Sequence, residues 1–77
     1  MKTERIEVNP RIMAGKPVIE GTRIPVYVVL ELLESEHSMT EIVEQYPDLE
    51  LEDVKAAIRY ATDIVEREDI EDESAVA

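Results

Sequence analysis

Two regimes of apolar spacing divide the chain near Pro25. Before it, the apolar residues come in short β-like pieces separated by turn residues. Ile6-Glu7-Val8 alternates as a half-buried strand does, and Asn9-Pro10 is a turn pair. Arg11-Ile12-Met13 reads as a second extended piece, and Val18-Ile19 as a β-branched run. Gly15 admits a positive φ, Pro17 restrains the backbone leading into Val18, and Gly21-Thr22 marks a further turn. Strands this short are not stable alone and need helices or a second chain to lie on.

After Pro25 the spacing becomes helical. Val26, Val29, Leu30 and Leu33 share one face of a first helix over Val26–Glu34. Tyr27, Val28 and Leu32 are apolar too, so this helix is apolar on more than one side. Ser38-Met39-Thr40-Glu41 fits a capping box, with each end residue's side chain accepting from the other's backbone N–H. It opens a short second helix, Met39–Tyr46, that Pro47 stops. Leu51, Val54, Ile58, Ala61 and Val65 trace the stripe of a third, widened by Ala57 and Ile64. Leu49 and Val54 can staple its start, while Glu50 is a poor cap. The fold expected is mainly α: three helices behind a short N-terminal β element. One domain covers residues 1–67, with an extended lead-in over 1–25 and helices over 26–67. An acidic, disordered tail is expected over 68–77.

Charge sharpens this division. The 77 residues carry 19 acids and 8 bases, a formal net charge of −11. Residues 1–25 hold five of the bases (Lys2, Arg5, Arg11, Lys16 and Arg23) against three acids. The remainder holds three bases against sixteen acids. A mildly basic head thus sits on a strongly acidic body, either a plain solvated surface or one suited to high salt. Such a balance opposes strong binding to phosphate backbones. With no cysteine there is no disulfide framework or thiolate metal site. No apolar run is long enough to span a membrane, and Met1–Arg5 lacks a signal-peptide core, so a cytoplasmic location is expected.

No catalytic constellation, cofactor motif or metal-ligand spacing stands out, and an enzyme is not expected. His37 is the lone histidine and flanks a helix cap, and Tyr27, Tyr46 and Tyr60 suit core or interface positions. The distinctive stretch is Gly15–Val26, GKPVIEGTRIPV, whose glycines, prolines and threonine specify a fixed backbone path. Two readings of it stand side by side. In one, Thr22 caps a turn and Arg23 pairs with an acid of the first helix. In the other, Lys16 and Arg23 are offered to an acidic partner.

That block, together with Asn9-Pro10 and SMTEIVEQYPDLELEDVKAAIRYA, resembles domain-of-unknown-function family 433 from about Ile6 to Ala61. The resemblance implies a homeodomain-like helix-turn-helix core of three helices with a small N-terminal β element. It also implies an antitoxin role beside a PIN-like toxin nuclease whose acidic residues bind Mg²⁺. Two features depart from the family pattern: Glu50 stands where Thr or Ser is common, and the C-terminal half is acidic.

On this reading a basic side chain would enter the nuclease's acidic site. Arg23, then Lys16 and Arg11, with Thr22 on the same path, are the candidate partner-binding residues. A homodimer burying Ile6, Val8, Tyr27 and Val28 is also expected. The alternatives are a helix-turn-helix repressor that uses the third helix, with Lys55 and Arg59 as possible DNA contacts, alone or in complex with the toxin, and a structural dimer module. For the repressor, Glu50, Glu52 and Asp53 at the start of the reading helix oppose approach to phosphates.

Overall fold

The structure is a computed structural model that describes the backbone of residues 2–76 and the side chains of residues 4–67. Three strands come first: β1 (Lys2–Thr3), β2 (Ile6–Glu7) and β3 (Val18–Ile19). They form one antiparallel sheet in the order β1-β2-β3, with Thr3 opposite Ile6 and Ile6 opposite Ile19. The helices come after them: α1 (Val26–Glu34), α2 (Met39–Gln45) and α3 (Leu51–Val76). The domain is therefore mainly α, with a short N-terminal sheet.

The sheet removes one reason for expecting a dimer, since the strands find their partners within one chain. Ile6, assigned from the sequence to a dimer interface, is instead 1 % exposed and belongs to the monomer's own core. The core joins Ile6 and Ile19 to Val26 and Val29 of α1, Ile42 of α2, Leu49, and Val54, Ala56 and Ala57 of α3.

Arg11-Ile12-Met13 is not a second extended piece. The Asn9 carbonyl accepts from the Ile12 N–H at 2.8 Å and the Asn9 side chain from the Arg11 N–H at 2.9 Å. These bonds close a turn where a strand would need a distant partner. Next comes a 3₁₀ turn over Met13–Gly15, with φ positive at all three residues (51°, 57° and 85°). Glycine takes such a φ without penalty; Met13 and Ala14 do so against the left-handed steric cost.

The helix ends obey local chemistry. At α2 the Ser38 Oγ accepts from the Glu41 N–H (3.1 Å), and the Glu41 carboxylate accepts from the Ser38 N–H (2.7 Å). The backbone N–H of Ser38 is the main influence holding the Glu41 carboxyl below its ordinary value. The second helix ends at Gln45, one residue before the expected Tyr46. The backbone of α3 stays helical to Val76, where a disordered tail was expected from residue 68. No glycine or proline after Pro47 interrupts it.

The stripe expected to bury α3 is only partly buried. Val54 and Ala57 are fully enclosed, but Leu51, Ile58 and Val65 are 47, 37 and 54 % exposed. These three are spaced seven residues apart and lie along one edge of the helix. The core takes the Val54–Ala57 side and leaves that edge outside.

Candidate functional site

The lead-in from Asn9 to Pro25 runs through turns on either side of β3 and is braced by its own hydrogen bonds as well as by the sheet. The Thr22 Oγ donates to the Ile19 carbonyl at 2.8 Å and accepts from the Ile24 N–H at 3.0 Å. The Ile19 N–H donates to the Ile24 carbonyl at 3.0 Å, and the Val26 N–H to the Pro17 carbonyl at 2.9 Å. Gly21 turns this loop at φ 81°. Thr22 is thus a turn clamp with its hydroxyl engaged inward, and it positions its neighbour rather than offering a free hydroxyl to a partner.

Arg23, next to that clamp, is exposed. Among the described residues it makes no ion pair with an acid of α1, so the pairing considered from the sequence does not occur. Arg11 is exposed on the preceding turn. Lys16 extends over the Tyr27 ring, with Nζ 5.0 Å from the centroid, a cation–π contact. This contact brings together the basic loop and the exposed face of α1. Tyr27 is 46 % exposed, whereas Val28 and Val8 are half-buried.

Beside Tyr27 lies a shallow apolar groove of about 240 Å³ between α1 and α3. Pro17, Leu30, Tyr60, Ala61, Ile64 and Val65 line it, and it continues past Leu30 to Ile58.

The residues considered for DNA contact are differently placed. Lys55 pairs with Glu52 at 3.5 Å, both exposed. Arg59 is exposed and shares a surface depression with Glu4, Asp63 and Arg67.

The start of α3 holds a basic residue that motif reasoning missed. Thr3 and Ile6 pair directly, so Glu4-Arg5 is a two-residue hairpin turn, with Arg5 at φ 65° where glycine or asparagine is usual. Its guanidinium reaches Asp53 at 2.9 Å and Glu50 at 3.1 Å. These hydrogen bonds, Asp53's first, raise the already high pKa of Arg5. The other Asp53 oxygen accepts from the Glu50 N–H at 2.8 Å. Asp53 therefore caps α3 from inside its first turn and pins the hairpin to it, which compensates for Glu50 as a cap. The signal in the sequence was the acidic start of the third helix, Glu50 to Asp53, in need of a counter-charge, with nothing to mark Arg5 as its source. Asp53→Ala is expected to lower stability by about 2 kcal/mol, the upper range for a lost cap, because the Arg5 contact goes with it. Urea unfolding checks this. Asp53→Asn, which retains an acceptor, should lose less.

Among the described residues no group of three or more His, Cys, Asp or Glu is arranged to hold a metal ion, and no helix is long and apolar enough to cross a membrane.

These features define a small, mainly helical domain with a rigid basic loop and an exposed apolar groove. Residues 6–61 match the family model described as Protein of unknown function (DUF433), and the chain belongs to that family. It is similar to the uncharacterized protein y4eO of Sinorhizobium fredii, 38 % identical over 58 residues, which are 75 % of this chain and 26 % of that protein. An uncharacterized protein of Archaeoglobus fulgidus is 65 % identical over 23 residues, 30 % of this chain and 64 % of that one. The chain thus spans about a quarter of the first relative and just under two thirds of the second. A crystal structure of a DUF433 member from Anabaena variabilis superimposes with a TM-score of 0.75 at 31 % identity, covering 87 % of this chain and 66 % of that one.

Proposed function

We propose that this chain is an antitoxin-type binding protein, not an enzyme, that inhibits a PIN-like nuclease by presenting its basic loop to the nuclease's acidic, Mg²⁺-binding site. The observation that carries this reading is Arg23, exposed and without an ion pair among the described residues, on a loop clamped by Thr22. A cation on a preformed loop loses little conformational freedom on docking, and an acidic cleft would attract it over the charge of the body. Lys16 and Arg11 would add attraction at the rim. Co-expression with a tagged PIN-like nuclease from the same genome tests the association. The two proteins should elute together at moderate salt, and a nuclease that emerges alone would refute the reading.

The repressor alternative has less support. The helical layout suits a helix-turn-helix, but Glu50 and Glu52 are exposed at the start of α3, and Lys55 is paired with Glu52. Affinity for DNA depends on neutralised phosphates, and few cations are placed to supply it. At physiological salt the chain alone is expected to bind DNA from upstream of its gene no more tightly than about 10⁻⁶ M, the non-specific range. Fluorescence anisotropy checks this, and a nanomolar constant with a steep salt slope would put the repressor first.

A further inference from the structure

Arg23 does not line the groove between α1 and α3, which has a cation at its Tyr27 end and a carboxylate on its continuation past Leu30. Its α3 wall is a seam: Ile58, Ala61 and Val65 recur at alternating three- and four-residue steps, the spacing that receives another helix. Ile58 and Val65 are 37 and 54 % exposed, so the seam is open within one chain. Tyr27 and Leu30 form the facing wall.

Charge decides what kind of helix fits. Glu66 lines the groove's continuation past Leu30, and Glu31 and Glu34 stand exposed on α1, one and four residues beyond Leu30. A second copy seated symmetrically would bring the same acidic patch and another net charge of −11 against this one. Among the described residues Lys16 is the single cation lining the groove, at the Tyr27 end, where it suits the negative C-terminal end of a docked helix.

We infer that this groove docks an amphipathic helix of a partner protein, with its apolar stripe on Tyr27, Leu30, Ile58, Ala61 and Val65 and basic residues flanking that stripe. The contact goes beyond the Arg23 reading and does not depend on it.

The test uses the full chain and a synthetic Leu/Lys peptide of about eighteen residues with leucine at the heptad a and d positions, compared with a Leu/Glu peptide of the same pattern. The Lys peptide should bind and the Glu peptide should not. Val65→Glu separates docking from general attraction. It makes the protein more negative, so a loose electrostatic complex would tighten, whereas a helix seated on the seam should lose at least roughly tenfold, because the new carboxylate would be pressed against the peptide's leucine stripe instead of its lysines. Val65 is exposed, so the fold should survive, as circular dichroism would verify. NMR of the wild-type chain should show peptide-induced shifts at Tyr27, Leu30 and Ile58. Unchanged or tighter binding by Val65→Glu, or shifts spread over the acidic surface, would overturn the proposal. So would a homodimer in sedimentation that Val65→Glu dissociates, since the occupant would then be a second copy. None of these readouts involves the nuclease, so failure here leaves the Arg23 reading standing, and the reverse holds too.

Discussion

Arg23→Ala is expected to weaken nuclease binding by at least about 30-fold while leaving the melting temperature almost unchanged. The two halves of this result have separate causes. Arg23 is exposed and makes no ion pair among the described residues, so its removal breaks no salt bridge among them. Even an exposed pair would contribute only about 0–1 kcal/mol. At an interface the balance differs. Truncating one member of a desolvated charge pair costs roughly 2–5 kcal/mol, much of it from the partner charge left buried alone. Two kcal/mol corresponds to about 30-fold in the dissociation constant. Arg23→Lys retains the charge but loses the planar fork that matches a carboxylate, so it should fall between the two. Titration calorimetry against the nuclease, with thermal unfolding of each variant, checks the pair of outcomes. A melting temperature that falls with binding intact would make Arg23 a structural residue.

Ile42→Ala is expected to cost the most stability. Ile42 is fully buried and belongs to the cluster that joins the sheet and all three helices. Truncating a buried isoleucine to alanine costs about 2–5 kcal/mol, from lost transfer energy plus the cavity left behind. A domain of this length has roughly 4–12 kcal/mol in total. The variant should therefore melt at least about 10 °C lower, and the worst case is unfolded at 37 °C. Circular dichroism on heating checks this. A shift of only about 2 °C would mean that α2 is not the buried strut that its position makes it.

Helix positions were legible because local chemistry wrote them. Val26–Glu34 was readable in full, since Pro25 and a dense apolar face delimit it. The capping box at Ser38 and Glu41 was readable from four residues, because both of its bonds are short-range. Features that depend on distant contacts were not readable. Nothing near Arg5 in the sequence says that it meets Glu50 and Asp53, 45 and 48 positions away. The burial of Ile6 was misjudged for the same reason, since its strand partner is Ile19 across an irregular loop. The stripe of α3 was legible as apolar but not as divided. Periodicity counts Leu51, Ile58 and Val65 with Val54, and only the packing of α1 and α2 decides which edge is covered. Of the candidate site, the loop and its cations were visible in GKPVIEGTRIPV. The turn cap by Thr22 was one of two readings of that stretch, and its two hydrogen bonds show the cap.

The most direct measurement is RNA cleavage by the purified PIN-like nuclease, with Mg²⁺ held at or below half-saturation, as this chain is titrated in. If the chain is an inhibitor that docks a cation in the metal site, cleavage should fall linearly and vanish near one equivalent, and Arg23→Ala should need a large excess to match it. Undiminished cleavage at a tenfold excess of the wild-type chain would contradict the account.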